Sequence, residues 1–121
     1  MWSYSQSTGQ IVDGLGNLVG TGYSGFALGK NNPASQAVQD VGPIPEGLWS
    51  IGNPYTDPEK GPVVMRLTPD PSTTTFGRSG FLIHGDSILH PGAASHGCII
   101  LAHDIRVAIS LSQHKLLNVT A

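Results

Sequence analysis

The residues with the clearest chemical potential lie in one glycine-rich segment, 81–101, which reads FLIHGDSILHPGAASHGCIIL. It contains the only cysteine of the chain, Cys98, at the end of a Ser-His-Gly-Cys run, and His84 lies fourteen positions upstream. A lone thiol with histidines and glycines nearby is the residue set of covalent catalysis, because a thiolate can attack while an imidazole removes and returns the proton. The segment therefore predicts a cysteine-nucleophile enzyme.

Two histidines compete for the role of general base. His96 lies two positions before Cys98, and in extended backbone residues two apart point to the same face. His84 belongs to a separate predicted strand and can approach the thiol from any side. The Gly97 peptide and the Cys98 N–H are candidate donors to the oxyanion of a tetrahedral intermediate. The residues alone leave the choice between the two histidines open.

A zinc site and an inert thiol are the competing interpretations of the same segment. Ligand atoms suited to zinc are offered by His84, Asp86, His90, His96, Cys98 and His103. No pair of them has the spacing of a familiar zinc motif such as HExxH, so neither a metal ion nor another cofactor is predicted. A single cysteine between apolar residues is often an inert core residue, but three histidines crowded into thirteen positions favour a functional site.

The elements that must position these residues are predicted to be short strands. Alternating or apolar runs bounded by Gly, Pro and Asn predict strands at 2–5, 10–13, 18–24, 48–52, 63–67, 81–84, 99–101 and 115–120. The first three read as a meander of hairpins, and 68–80 reads as a surface loop. Apolar spacing over 103–113 fits one short helix. The predicted fold is mainly β, a sandwich or barrel of short strands with one short helix near the C-terminus.

Composition narrows the class of protein further. The 121 residues suit a single domain, predicted to span 1–121, and the sixteen glycines and nine prolines favour many turns. Net charge is −2 and no Lys/Arg cluster exists, which argues against nucleic acid as a partner. No apolar run reaches the roughly 20 residues that span a bilayer, and the N-terminal run MWSYSQSTGQ lacks the features of a signal peptide. We therefore expect a protein made in the cytoplasm without a signal peptide and without membrane insertion.

The motifs resemble those of L,D-transpeptidase (YkuD-type) catalytic domains. The specific part is Ser95-His96-Gly97-Cys98-Ile99, preceded by His84-Gly85. Within that family the chain is similar to the L,D-transpeptidase-like effectors of type VI secretion systems, through Trp2-x-Tyr4, Ser7-Thr8-Gly9, Gly22-Tyr23-Ser24-Gly25, Asn31-Asn32-Pro33, Gly42-Pro43-Ile44-Pro45-x-Gly47 and Arg78 to Asp86. The resemblance covers nearly the whole chain. A shorter histidine-to-cysteine gap, and Ile100 where many members carry Asn or Arg, indicate a divergent subgroup.

The resemblance implies a mechanism for the central pair. Cys98 would be the nucleophile and His84 the base, with the imidazole oriented by the backbone carbonyl of Gly85. The scissile bond would join meso-diaminopimelate to the terminal D-alanine of a tetrapeptide stem in peptidoglycan. Water would complete an L,D-carboxypeptidase reaction, whereas an amine would give D-amino-acid exchange or a cross-link.

The resemblance also implies roles for the residues around that pair. His96 and Gly97 would shape the oxyanion hole and acyl pocket, and Ser95 would hold the loop. Asp86 and Arg78 would be candidates for contacts with the zwitterionic stem peptide.

The implied biological setting is an antibacterial toxin. It would be delivered by a type VI secretion component, act in the periplasm of target bacteria and be neutralised in the producer by a cognate immunity protein. Two other classes remain open: a zinc-dependent peptidoglycan peptidase or amidase using the same histidines, and a non-catalytic wall-binding module in which Cys98 only packs.

Overall fold

The chain begins with a three-stranded meander. The computed structural model describes all residues 1–121, and its first strands are β1 (Trp2–Ser5), β2 (Gln10–Val12) and β3 (Leu18–Thr21). β2 pairs antiparallel with both β1 and β3. Trp2 and Tyr4 alternate with half-buried serines, so one face of β1 enters the core.

The remaining strands extend this meander into a sheet that is nearly closed into a barrel. They are β4 (Tyr23–Ser24), β5 (Gly47–Ile51), β6 (Tyr55–Asp57), β7 (Gly61–Pro69), β8 (Leu82–His84), β9 (Ile99–Ile100) and β10 (Leu116–Thr120). Their spatial order is β3-β2-β1-β10-β5-β7-β8-β9-β4, with β6 paired to β7 at the side. The two end strands β3 and β4 are separated in the chain only by Gly22, which is why the sheet curls back on itself.

Two parallel pairings decide the topology. β1 pairs in parallel with β10, so the two ends of the chain lie side by side in the sheet. β8 pairs in parallel with β9, with Ile83 opposite Ile99 and His84 opposite Ile100. The other pairings of the sheet are antiparallel.

A single apolar cluster fills the sheet. Its fifteen buried members include Trp49 and Phe81, whose rings meet edge to face at 5.0 Å. The helix α1 (His103–Leu111) closes one side through Ile109, which is fully buried, and Ile105, which packs on the cluster. Short 3-10 helices at Ala27–Gly29 and Pro33–Ser35 lie in the long connection between β4 and β5. No helix has the length and hydropathy needed to cross a bilayer.

The prediction of a mainly β fold with one helix near the C-terminus is confirmed, although several boundaries differ. The predicted strand 18–24 is broken at Gly22, where a side chain would lie 1.8 Å from the carbonyl oxygen of Ile100. The chain therefore leaves β2 there and crosses to β9. The helix ends at Leu111 rather than at 113.

Two further differences lie around the central strand of the sheet. The segment read as a loop between 52 and 63 contains the three-residue strand β6, flanked by proline at Pro54 and Pro58. β7 is longer than predicted at both ends and takes Thr68 and Pro69 from the predicted surface loop. A short strand between prolines carries too little alternation to be recognised without its partner.

Candidate active site

The parallel pair β8 and β9 brings the predicted catalytic residues to one face. Ile83 is opposite Ile99 and His84 is opposite Ile100, and Cys98 directly precedes β9, so strand alternation places Cys98 and His84 on the same side of the pair. Cys98 and His84 are thus diagonal neighbours across two adjacent strands. They are fourteen positions apart in the sequence, but the sheet brings them onto adjacent strands.

His84 is held in a definite tautomer. Its ring is 3% exposed, and Nδ1 lies 2.8 Å from the carbonyl oxygen of Gly85, the contact expected from the resemblance. Because a carbonyl only accepts, Nδ1 carries the proton and Nε2 presents a lone pair. Nε2 is buried and has no hydrogen-bond partner. Burial lowers the pKa of His84, and the nearby charges of Lys60 and Arg106 lower it further.

The thiol of Cys98 is perturbed in the opposite direction. Burial raises its pKa, against opposing contributions from the Leu82 N–H and from the charges of Lys60 and Arg78. The Sγ atom lies 3.8 Å from the carbonyl oxygen of Gly80, and no hydrogen bond joins it to His84 Nε2. At neutral pH the site therefore holds a neutral thiol beside a neutral imidazole. Catalytic hydrogen bonds are often long until substrate is bound.

Ser95 holds the loop that leads into Cys98. Its Oγ accepts the backbone N–H of Gly25 at 2.9 Å and that of Gly97 at 3.1 Å, and it donates to the carbonyl of Cys98 at 2.6 Å. Ser95 is fully buried, so each of these bonds forms away from water. The loop-holding role implied for Ser95 matches these contacts, while the Gly97 N–H is already engaged by Ser95 and the Cys98 N–H stays the predicted oxyanion donor.

Gly97 cannot be replaced easily at this position. Its φ is 134°, which side chains rarely adopt, and a Cβ atom would lie 2.6 Å from Nη2 of Arg78. Its carbonyl accepts from the buried hydroxyl of Ser24 at 3.1 Å. The turn before the cysteine thus needs glycine for both conformation and space.

Arg78 hydrogen-bonds to the turn that precedes Cys98. Its buried guanidinium donates to the carbonyls of Gln36, Gly42, Pro43 and His96. These bonds tie the connection 36–43 to the turn that carries Cys98. The resemblance suggested a contact with substrate, whereas the structure commits this guanidinium to backbone carbonyls of the protein itself.

Asp86 organises the loop that follows His84. Its carboxylate accepts from the hydroxyl of Tyr23 at 2.6 Å and from the backbone N–H groups of Ser87 and Gly92. Tyr23 in turn accepts the N–H of Ala94 at 2.9 Å. Burial and the Asp86 carboxylate raise the pKa of Tyr23 to about 12, so the hydroxyl remains a donor. Asp86 therefore serves the turn, one of the two roles expected of it.

His96 lies on the other side of the thiol. Its ring is exposed, packs against Phe26 with centroids 5.1 Å apart, and places Nδ1 3.0 Å from the carbonyl of Asp40. His84 is the more buried and more tightly held of the two imidazoles, so it stays the predicted base, and His96 stays a predicted part of the acyl pocket.

Two cavities flank the pair. A large one of about 910 Å³ is lined by His84 and, among others, Tyr23, Lys60, Asp86 and Arg106. A smaller one of about 180 Å³ is lined by Cys98 with residues that include Arg78, His96 and Gly97. Sequence reasoning did not name Tyr23, Lys60 and Arg106 as neighbours of His84; Tyr23 lies in a motif quoted for the resemblance, whereas Lys60 and Arg106 carry no local signal.

The residues weighed as zinc ligands in the competing interpretation do not form a cluster. No group of three or more histidine, cysteine, aspartate or glutamate side chains comes close enough to hold an ion. Asp86 is turned to Tyr23 and His96 to Asp40, so the crowding of these residues in sequence does not carry over into space.

Comparison with known proteins identifies the family. Searches of curated proteins and of solved structures gave no match. The family model of the Tlde1 domain, a type VI secretion effector domain, matches residues 19–120. The matched range includes both sides of the His84 and Cys98 pair, and only β1 and β2 of the sheet precede it. With its type VI effector context and its cysteine–histidine site, this chain belongs to the Tlde1 domain family.

Proposed function

We propose that this Tlde1 domain is a cysteine acyl-transfer enzyme that acts on the stem peptides of peptidoglycan. The observation that supports it best is the buried His84 imidazole, whose Nδ1 is fixed by Gly85 while its unpartnered Nε2 shares a face with the only thiol. A histidine that merely packs would not need a bare basic nitrogen in the interior, where an unpaired polar atom is costly.

The first half of the reaction forms a thioester. Sγ of Cys98 attacks the carbonyl carbon of meso-diaminopimelate in the diaminopimelate–D-alanine bond, and its proton passes to His84 Nε2. The oxyanion accepts the Cys98 N–H, and its collapse expels the amine of D-alanine, which takes the proton back from His84. The products are a thioacyl-enzyme and free D-alanine.

The second half regenerates the thiol. Water or the amine of a D-amino acid attacks the thioester carbonyl and gives its proton to Nε2, which returns it to the departing sulfur. Water yields a tripeptide stem, and an amine yields an exchanged stem or a cross-link. Hydrolysis and exchange both deplete the tetrapeptide donors that wall cross-linking needs, which is how a type VI effector of this kind would harm its target.

The zinc alternative lacks an assembled ligand cluster, and the wall-binding alternative leaves the orientation of His84 unexplained. A cognate immunity protein and a delivery component of the secretion system belong to the proposal as the partners that a type VI effector requires.

Muropeptide mass spectrometry tests the proposed chemistry directly. Purified protein should convert tetrapeptide muropeptides to tripeptides, and added D-methionine should appear in exchanged stems. Cys98→Ala should lower the rate by about a thousandfold or more, because loss of a covalent nucleophile costs several kcal/mol of transition-state stabilisation. His90→Ala is the matched control, since His90 is an exposed histidine of the same segment. Activity of Cys98→Ala within about tenfold of wild type would contradict the proposal.

A further inference from the structure

The proposed proton transfers indicate which of the two cavities holds the leaving group of the substrate. In the proposed reaction the leaving amine takes its proton from His84 Nε2, and the attacking water or amine gives its proton to the same atom. Both groups must therefore occupy the same space beside the imidazole. His84 lines the cavity of about 910 Å³, whereas Cys98 lines the cavity of about 180 Å³. The departing and incoming groups accordingly belong to the large cavity.

The charged groups of that cavity favour an anion. Among its acids, Asp86 is occupied by three donors from its own loop, and Glu59 is exposed at the rim. Among its basic residues, Arg106 is buried and donates to the backbone carbonyls of Val63, Leu101 and Pro62 instead of to a carboxylate. Lys60, on the turn between β6 and β7, lines the same cavity.

Lys60 is the cation best placed to meet a ligand. Its side chain is exposed, whereas Arg106 is tied to the protein by its guanidinium. The charge of Lys60 reaches both reacting side chains, because it acts on the pKa of His84 and on that of Cys98. On the same turn, Oδ1 of Asp57 accepts the backbone N–H groups of Glu59 and Lys60.

We propose that the large cavity is the shared leaving-group and acceptor site, and that Lys60 binds the α-carboxylate of the D-amino acid that departs from or enters it. The inference rests on the proposed function and names the ligand class of that site: a D-amino acid, free or C-terminal, with an unblocked carboxylate. Such recognition makes the enzyme an exopeptidase, since a residue in the middle of a peptide has no carboxylate to offer. It also lets one site serve both release of D-alanine and capture of a replacement.

The kinetic test compares two substrates that differ only in this carboxylate. They are the tetrapeptide L-Ala-γ-D-Glu-meso-diaminopimelate-D-Ala and the same peptide ending in D-alaninamide. Wild type should prefer the acid in kcat/KM by about tenfold or more, as expected for a charge-assisted contact. Lys60→Met should bring the ratio close to one, and Lys60→Arg should retain the preference. The ratio cancels any effect of Lys60 on thiol reactivity, because both peptides meet the same thiol.

Lys115→Met is the charge-matched control, because Lys115 bonds to Ser110 and lines neither cavity. It should leave the acid-to-amide ratio as in wild type. An unchanged ratio in Lys60→Met would overturn the inference and leave the proposed chemistry standing.

A binding measurement separates the two proposals. Cys98→Ala should bind the acid tetrapeptide about tenfold more tightly than Cys98→Ala/Lys60→Met does. Cys98→Ala should also bind the acid about tenfold more tightly than it binds the amide. Equal affinity in both variants would overturn the role of Lys60. Lys60-dependent binding to a wild-type protein that cleaves neither peptide would overturn the proposed chemistry while keeping the carboxylate site.

Discussion

At the scale of single residues, burial favours the neutral forms of the two side chains that we propose as catalytic. It lowers the pKa of His84 and raises that of Cys98, so a thiolate–imidazolium pair is disfavoured before substrate arrives. In the proposed mechanism the proton would then move to Nε2 as sulfur attacks. A site of this kind keeps its thiol relatively unreactive until a substrate carbonyl is bound.

The pH dependence of alkylation follows from this state. A raised pKa keeps the thiolate scarce at neutral pH, and its fraction grows as the pH climbs past the ordinary thiol value. The rate of Cys98 modification by iodoacetamide should therefore be low at pH 7 and still rising at pH 9, which is the unperturbed reference for this thiol. Intact-mass analysis measures it, with glutathione as the reference thiol. A plateau reached below pH 7 would instead demonstrate a resting ion pair.

Histidine replacements should rank the two candidate bases. His84→Ala should lower kcat by about 10²–10⁴-fold because it removes the general base. His96→Ala should have a smaller effect, since its exposed ring contacts Phe26 and Asp40 instead of the buried face. His90→Ala should leave turnover unchanged, and circular dichroism should confirm that all three variants fold. A larger loss in His96→Ala than in His84→Ala would reverse the assignment.

At the scale of elements, the reactive strands β8 and β9 depend on loops that are tied down by buried polar side chains. Arg78 secures the connection 36–43 against the cysteine turn, and Ser95 secures that turn against Gly25. Each of these bonds ends on a backbone group.

Removal of the Arg78 guanidinium should loosen the cysteine turn. Arg78→Met leaves buried carbonyls without donors and should lower the free energy of unfolding by roughly 2–4 kcal/mol, measured by urea denaturation. Arg78→Lys keeps the charge but not the planar fork, and should fold with faster hydrogen exchange over 36–43. Arg66→Met is the control, because Arg66 is an exposed arginine stacked on Tyr55. Wild-type exchange rates in Arg78→Lys would show that the loop is held by other contacts.

At the scale of the whole molecule, the first and last strands of the chain pair with each other within the sheet. β1 lies between β2 and β10, and its Tyr4 is fully buried. The hydroxyl of Tyr4 has no hydrogen-bond partner, and burial raises its pKa. The residues outside the family match thus contribute core to the sheet that carries the site.

Two substitutions of Tyr4 should change the free energy of unfolding in opposite directions. Tyr4→Phe removes a buried unpaired hydroxyl and should raise the free energy of unfolding by about 1 kcal/mol. Tyr4→Ala removes the ring as well and should lower it by about 3–5 kcal/mol. Denaturant titrations of both variants measure this. Destabilisation of Tyr4→Phe by 1 kcal/mol or more would mean that the hydroxyl is satisfied by water.

Toxicity of the whole protein should depend on the compartment. The substrate bond in assembled form lies outside the inner membrane, so expression with an added export signal should round or lyse Gram-negative cells. Expression without that signal should leave growth intact, and Cys98→Ala should abolish the killing caused by the exported protein. Growth curves and microscopy record the outcome. Equal killing from the cytoplasm would point to a target other than peptidoglycan.

The amino-acid sequence by itself predicted the class of fold, which the structure confirms, and proposed Cys98 and His84 as the catalytic pair. Cys98 and His84 were found because both lie within one 21-residue segment, and Gly85 was named through a family resemblance. Short alternating runs between glycines and prolines indicated a mainly β protein, and one run of helical spacing indicated α1. These features are local in the sequence, so they can be recognised without knowing which strands pair.

The tertiary structure decided which strands pair and which side chains come into contact. Only the parallel pairing of β8 with β9 places His84 beside Cys98, and only the fold turns Arg78 and Asp86 towards their own backbone. Lys60 lines the same cavity as His84 from a turn more than twenty residues upstream, in a run with no motif. Contacts of this kind depend on strand order and on burial, which arise from the packing of distant residues and leave no periodic trace along the chain.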